Sequence, residues 1–277
     1  MPILRINEFP EGSGSLSNDD VFLFMDDPSG SGITKKINLN ELKNLILKGF
    51  KDPNVSLMLN FNNNFNDSSI YNHELILTER EPTLDTSNKK WGDSSLKLIN
   101  NEEETGSYIT INHDLSLELS DSNYWTIEFY VYATDWSLVG STDSIISKGN
   151  ENTVVNCWSF ENGNFFADTA GNGNEVIIRI FPESESITFT NETWHHVAIS
   201  NDNTTMRLFL DGTLISTASG IVLASTDLTP LYIGTSWNEP AIRLFDGNID
   251  DVRITKGQAL YTSAFTPPTK QLNPFIQ

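Results

Sequence analysis

Asp250 and Asp251 stand side by side in GNIDDVRITKG, and a pair of carboxyl groups is what general acid and base chemistry on one substrate requires. Their spacing argues against that use. Ile249 to Ile254 reads as a short strand entered through Gly247 and left at Lys256-Gly257. Successive strand side chains point to opposite faces, so one carboxylate is expected to point away from the other. Glu183 and Glu185 in FPESES have alternate spacing, but they follow a proline in what reads as a solvated turn. Trp194, His195 and His196 suggest metal or base chemistry, yet adjacent histidines on a strand face apart and cannot share one ion. No P-loop, dinucleotide fingerprint or nucleophile in an activating motif occurs. No catalytic residue is assigned. Trp136 in TDWSLVG and Trp237 in TSWNEP lie near predicted loops, where each either stacks on a sugar ring or covers the rim of the core.

The elements that must position these residues fall into two parts. In the first fifty residues, Val21 to Met25 and Ile33 to Ile37 read as strands joined by the turn chemistry of DDPSGSG. Leu39, Leu42, Leu45 and Ile46 then recur at helical spacing, with Asn38 and Glu41 as capping residues and Gly49 as the left-handed stop. This predicts a small α+β module over residues 1–50, with a boundary near Gly49 to Asn54. A unit this small buries little apolar surface by itself, so it is expected either to dock on another chain or on copies of itself, or to pack as a compact cap on its own downstream domain.

From residue 51 to 277 the pattern is β, with turns rich in Asn, Gly, Asp and Ser, which indicates an antiparallel sandwich. The predicted strands are Val55 to Phe61, Ser95 to Ile99, Tyr108 to Ile111, Trp125 to Ala133, Ser144 to Lys148, Cys157 to Phe160 and Phe165 to Ala167. Val176 to Phe181, Thr193 to Asn201, Met206 to Leu210, Thr213 to Thr217, Leu231 to Gly234 and Gly247 to Thr255 follow. In MRLFLDGTLIST, Asp211-Gly212 between two apolar runs predicts a tight type I′ hairpin.

Composition excludes further classes. A net charge of -20 opposes binding to phosphate backbones and to anionic membranes, so nucleic acid is excluded as a partner. The single cysteine, Cys157, allows no internal disulfide. No apolar run approaches the ~20 residues of a membrane span. The opening MPILRINEFPEGSGS lacks a basic region followed by an apolar stretch, so neither a signal peptide nor membrane insertion is expected.

Taken together, VSLMLNFNNNFNDSS, WGDSSLKL, YWTIEFYVYA, SDSIISKG, TWHHVAIS, MRLFLDG, LYIGTSW and FDGNIDDVRITKGQALYTSAFTPP resemble the laminin G-like, concanavalin A-like jelly-roll family over about Val55 to Leu272. The closing RITKG, with Tyr261 and FTPP after it, is similar to copies of this domain in structural proteins of tailed bacteriophages. DDVFLFMDDPSGSGITKKINLNELKNLI resembles modules at the start of such phages' fibre and other virion proteins. The resemblance implies a mainly β fold, a concanavalin A-like jelly roll behind a small α+β module, in a virion structural protein of tail fibre or head fibre type. It implies contact with host surface glycans, a place in the virion after synthesis in the host cytoplasm, and attachment to other virion proteins through the N-terminal module. A homotrimer is the expected assembly, because symmetric copies would cover the module's apolar face.

Two alternatives stand beside this: a polysaccharide-degrading enzyme on the same fold, and a passive capsid decoration protein. Glycoside hydrolases sharing the sandwich carry alternate acidic residues in a pattern like Glu-X-Asp-X-X-Glu, and no such run occurs here. Related jelly rolls commonly hold a structural Ca2+ between the opening and closing strands, for which Asp67 and Asp250 are the candidate ligands. Otherwise Asp67 caps a turn and Asp250 faces solvent or a main-chain donor.

Overall fold

The computed structural model describes residues 21–24, 34–37, 51–78, 80–100, 106–140, 143–149, 157–161, 163–167, 189–203, 205–219, 223, 228–236 and 243–275. The chain divides into two compact units, Met1–Asp52 with Phe275–Gln277, and Pro53–Pro274. In the first, β1 (Val21–Phe24) and β2 (Thr34–Ile37) pair as an antiparallel hairpin with Val21 opposite Ile37. The helix expected over Leu39 to Ile46 lies outside the described residues.

The second unit is built from β3 (Val55–Leu59), β4 (Leu75–Leu77), β5 (Thr83–Asp85), β6 (Ser95–Leu98), β7 (Ile109–Ile111), β8 (Tyr124–Tyr132) and β9 (Ser144–Lys148). β10 (Trp158–Glu161), β11 (Asn164–Ala167), β12 (His195–Asp202), β13 (Thr205–Leu210), β14 (Thr213–Ser219), β15 (Leu231–Ile233) and β16 (Gly247–Lys256) complete it. The smaller sheet runs β11-β10-β9-β15-β7-β4. The larger runs β14-β13-β12-β8-β16-β6-β5, with β3 also on β16. Strand pairing is antiparallel in both sheets, as a jelly-roll sandwich requires. β4 and β5 were not expected from the sequence; with three partly exposed residues each, they are too short for a visible alternation.

Alternation on β8 sets the layers. Trp125, Ile127, Phe129 and Val131 enter the core, while Thr126, Glu128 and Tyr130 face outward. Register keeps the apolar rows together: Ile127 lies between Ile199 of β12 and Ile254 of β16, and Val131 is opposite Ile249. A slip of one residue would turn the whole row to the wrong face. From the smaller sheet, Phe160 meets Phe129 edge to face with centroids 5.4 Å apart, closing the core between the layers. Each such buried side chain contributes about 1.5–3 kcal/mol.

The predicted hairpin is present. Leu210 pairs with Thr213, and the two residues between them, Asp211 and Gly212, have φ of 49° and 76°. Both lie in the left-handed region that a type I′ turn demands. A Cβ on Gly212 would also collide with the Phe265 carbonyl oxygen, because the C-terminal segment crosses the hairpin tip there.

Candidate functional site

Thr126, Glu128 and Tyr130 do not face solvent. Residues 258–272 leave β16 and run back across the outer face of the larger sheet as a strap. Leu260 N donates to Thr126 Oγ1 at 2.9 Å, Phe265 N to Gly212 O at 2.9 Å, Tyr130 OH to Pro268 O at 2.8 Å and Leu272 N to Asp251 Oδ2 at 2.7 Å. Tyr261 stacks on Phe265 at 3.7 Å, and Phe265 packs edge-on against Phe209 and His196.

Glu128 is the centre of this layer. Its side chain is 0% exposed, and four donors converge on its two oxygens. Arg253 Nε and an Arg253 terminal nitrogen reach Oε1 at 2.8 and 2.5 Å. His196 Nε2 and Tyr261 OH reach Oε2 at 3.1 and 2.8 Å. A carboxylate accepts and cannot donate, so His196 must carry its proton on Nε2. Burial works against the charge, but the Arg253 guanidinium and the His196 hydrogen bond outweigh it and hold the Glu128 carboxyl down at about 2. Burial and the Glu128 charge push the Tyr261 phenol well above its ordinary range, which keeps it a donor. With four lone-pair sites filled, Glu128 has none left to take a proton from a substrate. It is a clamp for the strap.

Asp250 and Asp251 correct the expectation drawn from strand alternation. Both Ile249 and Val252 lie in the core, which leaves the two residues between them on the outer side. The cause is a β-bulge: Asp250 is opposite Tyr130 and Arg253 opposite Glu128, so three steps on β16 match two on β8. Asp251 takes the extra position with φ of 48°. Both carboxylates are 0% exposed. Asp250 Oδ2 accepts from Lys90 N and Trp91 N at 3.0 Å each, and Oδ1 from Asp251 N at 2.9 Å. Asp251 accepts from Asn60 Nδ2 at 2.6 Å and from Leu272 N. Burial, and then the neighbouring Asp251 charge, raise Asp250 to about 7. Burial raises Asp251 to about 6 against its hydrogen bonds from Leu272 and Asn60.

The residues singled out in the sequence do not come together. Trp136 is buried, with its face stacked on Phe189 at 4.0 Å and Phe245 beside it, so that face is not open to a sugar. Trp237 and the FPESES turn lie outside the described residues. Asp67 is buried beside β3 and accepts four hydrogen bonds, from Met58 N, Ser69 N, Ser69 Oγ and His73 N, at 2.7–3.0 Å. It organises its turn. Asp67 and Asp250 share no donor, and their oxygens already meet N–H and O–H groups, so the two do not fit a common Ca2+. Among the described residues no group of three or more His, Cys, Asp or Glu side chains is arranged to hold a metal.

The adjacent histidines face apart. His195 Nδ1 donates to Asp211 Oδ2 at 2.7 Å while its Nε2 accepts from Thr190 N at 2.9 Å, and it packs on Phe189. His196 lies under the strap. Trp194 packs on Tyr132 and donates to Asn88 Oδ1 at 3.0 Å. Sequence reasoning missed Glu128 and Arg253; the available signal was a lone acid at an outward position within the apolar run YWTIEFYVY, with an arginine at an outward position of β16.

Residues 103–261, more than half of the chain, match the Laminin_G_3 family, described as the Concanavalin A-like lectin/glucanases superfamily, and the chain belongs to that family. No curated protein matches the sequence. Among solved structures, domain 4 of AbnA, a GH43 extracellular arabinanase from Geobacillus stearothermophilus in complex with arabinotriose, is similar with a TM-score of 0.55 and 17% identity, over 74% of this chain and 93% of that one. The binding domain of Paraclostridial Mosquitocidal Protein 1 is similar with a TM-score of 0.53 and 18% identity, over 75% of this chain and 50% of its own. The receptor binding domain of botulinum neurotoxin mosaic serotype C/D follows with 0.50 and 21%, over 75% and 48%. This chain thus spans about half of the toxin binding domains. At these identities the likeness is one of fold.

Proposed function

We propose that the protein is a non-enzymatic structural protein of a bacteriophage particle, of tail fibre or head fibre type, that displays a lectin-like jelly roll to host surface glycans. The observation that carries binding over catalysis is the state of Glu128, Asp250 and Asp251. On a fold shared by lectins and glucanases, the carboxylates on the outer face of the larger sheet are sealed under the strap with every oxygen hydrogen-bonded. The particle assignment is supported by the resemblance of DDVFLFMDDPSGSGITKKINLNELKNLI to fibre modules and by the separation of Met1–Asp52 from the jelly roll. That unit attaches the chain to other virion proteins as a homotrimer.

The deciding experiment labels the chain on intact particles and compares full-length protein with a variant lacking residues 1–50. The variant is expected to stay folded and to leave the particle, and its normal incorporation would sink the division of labour. Host envelope polysaccharide incubated with a high concentration of the protein is expected to release no reducing ends. Robust release would establish the enzyme instead.

A further inference from the structure

The first half of the strap is held at points and not along a ladder. Between Gly257 and Pro267 it pairs with no strand among the described residues, and Thr262, Ser263 and Ala264 are exposed. Its amides reach the larger sheet at Leu260, bonded to Thr126 Oγ1, at Tyr261, bonded to Ser200 Oγ at 3.4 Å, and at Phe265, bonded to Gly212 O. Tyr261 adds its phenol to Glu128 and its ring to Phe265. At the near end Gly257 holds φ of 86° with its N–H on Tyr124 O at 2.6 Å. At the far end Tyr130 holds Pro268 O. Both ends are fixed to the sandwich, and few bonds hold the stretch between them.

Beneath this stretch two buried polar atoms meet no partner among the described residues: His196 Nδ1 and Thr255 Oγ1. Their residues are 1% and 2% exposed. Thr255 is opposite Thr126, which accepts Leu260 N from the strap, and the His196 ring packs edge-on against Tyr261 and Phe265. His196 gives its proton on Nε2 to Glu128, so Nδ1 is a bare acceptor. A buried polar group without a partner costs the closed state what hydration of that group would return. The strap therefore satisfies Glu128 while leaving two groups under it unsatisfied, and lifting it hydrates both.

We propose that residues 258–265 are a lid, hinged just past Gly257, that opens from the larger sheet while the sandwich stays folded and so governs access to Glu128. Segments held by few buried contacts open at a fraction of the cost of global unfolding. Opening takes Tyr261 away from Glu128 Oε2 and vacates one acceptor position, while Arg253 and His196 stay on the carboxylate and keep it ionised. A donor fits there, and a ligand hydroxyl in the place of the Tyr261 hydroxyl repeats the same charge-assisted bond. On the lectin-like reading above, on which this step rests, the entering donor is a sugar hydroxyl, and the closed lid competes with the glycan.

Hydrogen exchange on the full chain without ligand tests the lid. The Leu260 and Phe265 amides are expected to exchange about a hundredfold faster than the central amides of β8, at a rate that low urea leaves unchanged. Exchange at the β8 rate would mean that the strap leaves only with the whole fold, and would overturn the lid. Thr255→Val replaces the orphaned hydroxyl with a methyl group of similar shape, which favours the closed state, so the same two amides should slow about tenfold. An unchanged rate would show that opening does not uncover Thr255, which also overturns the lid. Access is read by titrating an array of neutral oligosaccharides against wild type, Thr255→Val and Tyr261→Phe. Apparent affinity scales with the fraction of open chains, so for a probe that binds, Tyr261→Phe should strengthen binding and Thr255→Val should weaken it about tenfold. Equal affinity in all three proteins would overturn the control of access and leave the lectin-like reading standing. Binding of no probe would remove that reading and the control of access with it, while the exchange rates decide the lid by themselves.

Discussion

The outer faces of the two sheets both carry clustered carboxylates, and they differ in one respect. On the larger sheet, Glu128, Asp250 and Asp251 are 0% exposed and each of their oxygens meets an N–H or O–H. On the smaller, Glu161 and Asp143 each keep one oxygen without a donor among the described residues. The strap makes the difference, since Tyr261 and Leu272 supply donors that the larger sheet alone does not hold. What completes a carboxylate's hydrogen bonds is therefore set by the segment that crosses it, and the type and spacing of acidic residues do not reveal it.

Breaking the closed side should have the largest effect. Glu128→Gln removes the charge that faces Arg253, a guanidinium that is itself largely buried, and leaving one buried charge without its partner costs about 3–5 kcal/mol. Urea denaturation should register a fall of that size, and a loss below about 1 kcal/mol would mean that the layer is not a clamp. Tyr261→Phe is milder. It deletes one hydroxyl donor to an ionised acceptor while keeping the ring stacked on Phe265, so about 1.5–3 kcal/mol should be lost. Faster amide exchange should be confined to the strap amides at Leu260, Phe265 and Leu272, and uniform loosening of the whole sandwich would contradict a local latch.

The aspartate pair sharpens the comparison through pH. Asp250 and Asp251 have folded values raised to about 7 and about 6 from an ordinary 3.8, so between these limits the folded state binds more protons than the unfolded one. Their contribution to stability is complete below about pH 4 and is lost as pH rises through 6 and 7. Glu128, held down at about 2, works in the opposite direction but only at acid pH, where its stabilisation is lost as pH falls. Denaturation at pH 5 and pH 8 should therefore differ by about 4 kcal/mol in favour of pH 5, most of it from Asp250, since each tenfold difference in proton affinity between folded and unfolded chain is worth about 1.4 kcal/mol. Asp251→Asn should flatten that slope relative to wild type, and an equal slope in the variant would place the titration elsewhere.

The sandwich was legible because burial leaves a period-two record. Trp125, Ile127, Phe129 and Val131 declare β8, and Asp211-Gly212 declares its hairpin, from local sequence alone. Asp250 and Asp251 defeated the same rule, because a bulge inserts one residue and nothing in IDDVRI separates a bulged strand from a regular one. Trp136 was expected at a loop surface, and it does lie in a loop, but Phe189, fifty-odd residues onward, covers it. Glu161 and Asp143 leave no joint pattern in the sequence, since one ends β10 and the other immediately precedes β9, and the pairing of Glu161 with Ser144 is what brings them near. Local patterns report which face a residue occupies. Contacts set by the topology report what meets it there.

The smallest expected effect is that of removing calcium, and it tests whether hydrogen bonds or an ion satisfy the buried acids. An ion bound only by the folded state would raise stability by mass action, so a chelator would lower the melting temperature. Asp67 meets four protein donors and Asp250 three, which leaves their oxygens facing positive hydrogens where a cation would need open lone pairs. Excess EGTA should therefore leave the melting curve in place. Asp67→Ala, by contrast, should lower stability with or without EGTA, because it leaves the buried Met58 and Ser69 amides without an acceptor, at about 1–3 kcal/mol for each group left unsatisfied. A melting temperature that falls in EGTA for wild type but not for Asp67→Ala would show that an ion, and not the turn, is what Asp67 holds.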